Sequence, residues 1–234
     1  MVRHSLQKAA LSLLGIAATS AARAILPRTA AEQQAAPSSN LLDYASGGGA
    51  SSSSGDAACD FTVAAGALAF PNARIVHQQG GFVDCNARLL LSDLPAGYQF
   101  SVSSASVAGY LNLEPGTYLD KIEVQLAYPG LGGKSSLSDV GSVKNAYGKS
   151  GTGYDGVFDI SLPMSPVSRT GSLAVSPCFT SATDDGTTLA VELFLSLVHE
   201  QIEFDDSTPH YGSVGGDGPD QQLRVGLEAE WSKC

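Results

Sequence analysis

Catalytic signatures, helical repeats and positive charge are all scarce in this chain of 234 residues. No G-x-S-x-G elbow, H-E-x-x-H pair or P-loop occurs, so serine-hydrolase, zincin and nucleotide-phosphate chemistry lack their local signals. Lys and Arg number 13 against 23 Asp and Glu, a net charge of −10, which disfavours nucleic acid and anionic membrane surfaces as partners. Neutral carbohydrate, cations and basic proteins stay open. Beyond the first 24 residues no apolar run reaches membrane length, so no membrane span is expected.

What is present begins with a secretory pattern. Arg3 and Lys8 precede a short apolar run around Leu11, Leu13, Leu14 and Ile16, and small residues then offer cleavage sites after Ala22 or Ala24. Residues 1–24 are therefore expected to be a signal peptide. Their removal takes away three positive charges and no negative one, leaving the mature chain more acidic still. The charged segment 227–234 argues against a glycosylphosphatidylinositol anchor, which needs a hydrophobic tail. Residues 25–56 are rich in Ala, Gln, Ser and Gly and hold too little apolar surface to offset the entropy of ordering; they read as linker or propeptide. The folded domain is expected over 57–234.

Within that domain the apolar residues alternate. Leu189, Val191, Leu193, Leu195 and Leu197 share one face of 188–199, and Leu223, Val225, Leu227, Ala229 and Trp231 share one face of 221–231, with Arg224, Glu228 and Glu230 opposite. Further strands are expected at 74–77, 87–91, 99–113, 120–128, 157–162 and 172–175, separated by Gly and Pro turn signals. The stretch 129–153 reads as a long loop. Many short strands without a helical repeat predict an all-β fold, an antiparallel β-sandwich of jelly-roll or flattened-barrel type. Cys59, Cys85, Cys178 and Cys234 follow an export signal in even number, which reads as a framework of two disulfides, although four cysteines allow three connectivities. Metal binding by these thiols would want C-x-x-C spacing, and none occurs.

Several segments resemble a family of fungal and bacterial secreted proteins, the domain of unknown function 4360 family. They are Asp84-Cys85-Asn86 with Leu89-Leu90-Leu91, the run from Leu94-Pro95-Ala96-Gly97 to Ser101-Val102, Gly109-Tyr110-Leu111-Asn112-Leu113-Glu114-Pro115-Gly116, Ser176-Pro177-Cys178, and the closing Glu230-Trp231-Ser232-Lys233-Cys234. The resemblance spans most of 57–234 and departs from the pattern over 130–153. It implies pairing of Cys59 with Cys85 and of Cys178 with Cys234, and it brings no activity with it.

Candidate chemistry is sparse. One G-x-G-x-x-G match, Gly151 to Gly156, precedes a strand instead of joining strand to helix, and so reads as loop. Glu228 and Glu230 lie about 7 Å apart at strand rise, near the carboxyl spacing of inverting glycosidases, but they project in parallel beside Arg224 as a solvated charge row. Asp184, Asp185, Asp205, Asp206, Asp217 and Asp220 sit in turn-rich segments where Ca²⁺ is conceivable, yet turns also demand Asp, so no cofactor is expected. His77, His199 and His210 show no ligand spacing. Tyr110, Tyr118, Tyr128, Tyr147 and Tyr154 lie near turns or loops and are the candidate stacking platforms for sugar rings. The reading is a secreted, monomeric, non-catalytic protein of the extracellular space or cell wall that binds polysaccharide or protein there. The alternative is a secreted carbohydrate-active enzyme or pathway accessory with a carboxylate-based or substrate-shaping site on the same scaffold.

Overall fold

The computed structural model describes residues 36–52, 59–77, 81–128, 137–148, 152–167, 171–179, 187–199, 211–216, 218 and 220–234. The described strands are β1 (Ala45–Ser52), β2 (Thr62–Ala64), β3 (Ala67–Phe70), β4 (Ile75–His77), β5 (Gly81–Leu91), β6 (Tyr98–Leu113), β7 (Thr117–Ala127), β8 (Leu137–Tyr147), β9 (Tyr154–Pro163), β10 (Ser165–Pro166), β11 (Thr187–His199), β12 (Gly212–Val214) and β13 (Leu223–Lys233). They form two antiparallel sheets. The six-stranded sheet runs β1-β5-β11-β7-β8-β10, and the seven-stranded sheet runs β2-β3-β13-β6-β12-β4 with β9 on the free side of β6. An antiparallel β-sandwich is therefore the fold, as the alternating pattern predicts.

Alternation decides what each strand buries. On β11 the odd residues Leu189 to Leu197 lie in the interior, and on β13 Leu223, Val225, Leu227 and Ala229 do the same. Phe70, Phe100, Leu68, Leu89, Leu111, Leu119 and Ile122 are fully buried between the sheets. Each such side chain contributes about 1.5–3 kcal/mol relative to exposure. Trp231 continues the inward face of β13 but is only partly covered; its ring meets Phe100 edge-on at 5.3 Å, and its indole N–H donates to Ser38 O at 2.7 Å.

Both disulfides join as the resemblance implies. Cys59–Cys85 closes a separation of 26 residues and Cys178–Cys234 one of 56. In the chain-entropy account each stabilises the fold by roughly 3–4 kcal/mol. The first ties the segment ahead of β2 to the buried face of β5. The second fastens the end of β13 to residues 176–179, which run beside the start of β6 through Ser176 N–H to Phe100 O at 2.8 Å and Phe179 N–H to Tyr98 O at 3.0 Å.

Three local expectations are corrected. Residues 37–52, expected as linker, belong to the folded unit, which begins at Pro37. Asn40 caps a 3₁₀ turn (Leu41–Tyr44) by accepting Leu42 N–H at 3.1 Å, Leu41 and Leu42 are buried, and β1 then pairs with β5 from Ala45↔Leu91 to Ser52↔Cys85. A Gly- and Ser-rich segment can extend a sheet because the edge of β5 supplies backbone partners that need no side chain. Second, residues 137–147, expected inside a long loop, form β8, in register with β7 and interrupted by two irregularities. Third, residues 172–175 form no strand and run as irregular backbone, with Ala174 N–H bonded to Asp139.

Candidate functional site

The outer face of the six-stranded sheet is built by the residues that alternate with the core. Its rows follow from the register: Phe82 beside Ser196 and Lys121, Asp84 beside Phe194 and Glu123, and Asn86 beside Glu192 and Gln125. Phe82 is 57% exposed although it is a large apolar residue. At that position it forgoes most of the roughly 1.5–3 kcal/mol that burying a phenylalanine supplies. It stacks on Phe194 with ring centroids 6.0 Å apart and planes 22° apart, so β5 and β11 together present a two-ring platform.

Polar groups surround this platform. The Lys121 ammonium lies 5.3 Å from the Phe194 ring centroid and 2.8 Å from Glu123 Oε2. The Gln125 amide donates to Glu123 Oε1 at 2.5 Å, and the Asn86 amide donates to Asp84 Oδ1 at 3.4 Å. Burial raises the Glu123 carboxyl, but its hydrogen bonds from Lys121 and Gln125 and the charges of Lys121 and Lys144 outweigh this and hold it below the ordinary glutamate value. Glu192 moves the other way: burial first, then the negative charges of Asp84 and Glu123, push its pKa up. Ring faces flanked by amides and carboxylates are the chemistry that packs on apolar C–H surfaces while bonding hydroxyl groups.

The outer face of the seven-stranded sheet differs. Gly226, Ser106 and Ser161 share one row across β13, β6 and β9, and with Ser39, Asn40 and Glu228 they line an open depression of about 300 Å³. A Cβ at Gly226 would lie 2.5 Å from Ser106 Oγ, so a larger residue there would have to turn that hydroxyl aside. Ser104 Oγ donates to Glu228 Oε2 at 2.8 Å, and Tyr110 Oη donates to Asp155 Oδ1 at 2.5 Å. That bond, with desolvation and the Asp155 charge, raises the Tyr110 pKa. Glu228 and Glu230 are both exposed on this face, while Arg224 lies 3.7 Å from Asp220.

The five tyrosines separate. Tyr118 belongs to the six-stranded outer face, paired with Val198 one row beyond Lys121. Tyr110 lies on the opposite face of the sandwich. Tyr147 and Tyr154 pack together at 4.9 Å against the core, with Tyr147 edge-on to Phe158, and the Tyr154 hydroxyl donates to Val157 O at 2.6 Å. Tyr128 corrects the expectation of a stacking platform: it is buried against Phe100, and its hydroxyl makes no close hydrogen bond among the described residues. Burial, then the nearby Asp139 charge, drives its pKa up.

Sequence reading passed over Phe82 and Phe194. A signal existed, since Phe194 interrupts the polar face of β11 between Glu192 and Ser196. Its partner came from a distant strand, which only register reveals. Among the described residues no group of three or more His, Cys, Asp or Glu could hold a metal ion. Asp184, Asp185, Asp205, Asp206, Asp217 and His210 lie outside the described residues, as does the His77 side chain. His199 Nδ1 lies 3.1 Å from Gly116 O. Thr152 and Gly153 lead directly into β9, the loop-then-strand order expected of the glycine-rich match.

No family model matches the chain, and no curated protein matches it. Among solved structures it is similar to TmCBM61 in complex with β-1,4-galactotriose, at 12% identity and a TM-score of 0.24, with 84% of this chain and 95% of that chain covered. Among the described residues no helix is long and apolar enough to cross a membrane.

Proposed function

We propose that this is a secreted, non-catalytic protein of the domain of unknown function 4360 family that binds extracellular or cell-wall polysaccharide on the outer face of its six-stranded sheet. The observation that carries the reading is the exposed ring of Phe82 stacked on the half-buried, outward-facing Phe194, set among the amides of Asn86 and Gln125 and the carboxylates of Asp84, Glu123 and Glu192. Strand-held rings are rigid, so they offer contact area at little conformational cost, and the polar fringe supplies orientation by hydrogen bonding to hydroxyls. The leader and the two disulfides support an oxidising destination.

The test is affinity electrophoresis and calorimetry of the purified mature chain against soluble neutral polysaccharides. Phe82→Ala is expected to weaken binding by on the order of tenfold, the equivalent of about 1.4 kcal/mol. Its circular dichroism should match the parent. Equal binding by parent and Phe82→Ala would refute the reading, as would turnover of the polysaccharide abolished by a single carboxylate substitution.

A further inference from the structure

Charge is unevenly distributed around the aromatic platform. Phe194 lies in one row between Asp84 on β5 and Glu123 on β7, and Glu192 occupies the next position on its own side of β11. Cations stand on both sides of the platform: on one side Lys121 and Lys144 are cross-strand partners on β7 and β8, and Lys121 is committed to Glu123. On the other side Arg88 of β5 pairs with Ala190, one row beyond Asn86. Burial first, then the negative charges of Asp84 and Glu123, disfavour the ionised form of Glu192. Like charges this close to a half-buried carboxylate are unfavourable, and a cation brought to that spot would relieve the repulsion.

Resting on the reading of this face as a polysaccharide site, we propose that it selects polymers of amino sugars carrying free, protonated amines over neutral and uronic-acid polymers. A sugar ring stacked on Phe82 and Phe194 would hold an equatorial substituent over the row of Asp84, Phe194 and Glu123. An ammonium there donates charge-assisted hydrogen bonds to the carboxylates, whereas a hydroxyl donates weaker ones and a uronate is repelled. A ring-bound ammonium is also attracted to the face of a neighbouring aromatic ring.

Four soluble probes of matched length test this with the purified mature chain: a β-1,4-glucosamine oligomer, its N-acetylated counterpart, a β-1,4-glucose oligomer and an oligogalacturonate. The glucosamine oligomer is expected to bind at least tenfold more tightly than either neutral probe at low salt, and the uronate not measurably. Glu192→Gln should reduce that preference severalfold by weakening the glucosamine oligomer more than the neutral probes, and Asp84→Asn is a second variant with the same expectation. Phe82→Ala should weaken all binding. Equal affinity for amine and neutral probes, both lost in Phe82→Ala, would overturn the amine selectivity and leave the polysaccharide reading standing. Glucosamine binding that survives Phe82→Ala would mean attraction of a polycation to an acidic chain, which overturns the proposal. Neutral-probe binding untouched by Phe82→Ala would overturn the reading beneath it.

Discussion

The two outer faces of the sandwich are made by one rule of alternation, yet they differ in what their side chains have left to give. On both sheets polar groups pair with one another: Ser104 with Glu228, Tyr110 with Asp155 and Arg224 close to Asp220 on the seven-stranded sheet, Lys121 and Gln125 with Glu123 and Asn86 with Asp84 on the six-stranded one. On the six-stranded sheet a pair of phenylalanines faces outward and Glu192 stands among like charges. The face that exposes ring surface beside carboxylates offers a ligand both area and direction.

The largest effect should come from removing what both faces share. Phe100 is fully buried and touches Tyr128, Phe179 and Trp231. Phe100→Ala is expected to cost about 3–5 kcal/mol in denaturant unfolding and to impair both faces together. Next in size is the contrast in binding. Phe82→Ala should lose on the order of tenfold in affinity with stability changed by less than about 0.5 kcal/mol, while Tyr110→Phe on the opposite face leaves affinity unchanged in the same titration. Equal losses from the two variants would erase the distinction between the faces.

Smaller effects sharpen the comparison from within. Asp139 is fully buried; burial raises its pKa, and the Ala174 N–H bonds to both its oxygens offset this only in part. A carboxyl raised on folding favours the protonated native state. Its contribution is therefore greatest in acid, below the ordinary carboxylate range, and is lost as pH rises through the folded value. Glu192 has the same sign, and Glu123, lowered on folding, opposes them with stability lost as pH falls. Thermal unfolding across the acid range should show a shallower decline with rising pH in Asp139→Asn than in the parent. An unchanged slope would mean that Asp139 is not the group responsible. Smallest of all, Tyr128→Phe removes a buried hydroxyl that makes no close hydrogen bond among the described residues, so it should be neutral or stabilising by up to about 1 kcal/mol and leave binding unaltered. A marked loss of stability would reveal a partner for that oxygen.

How far the sequence could be read depended on range. Alternation marked β11 and β13 because leucine and valine recur every second residue and no helix can keep such a set on one face. β8 was hidden by its glycine and short polar residues, and its pairing with β7 compensates for a weak local pattern. Residues 37–52 looked like linker because composition reports the apolar surface that a segment owns. It does not report the free backbone edge that β5 offers it. Tyrosines near turns drew attention as platforms, although Tyr128 is core and Tyr147 and Tyr154 pack against it.

The residues alone determined the all-β class, the two inward faces and the acidic balance, since each follows from local period or composition. Tertiary structure decided which outward residues meet. Phe82 and Phe194 lie on strands far apart in the chain and become neighbours only through the β5 and β11 register, in which Phe194 stands opposite Asp84. The physical reason is that a strand's own alternation fixes which way its side chains point, while the cross-strand partner is chosen by register, where a slip of one residue would turn the whole set to the other face.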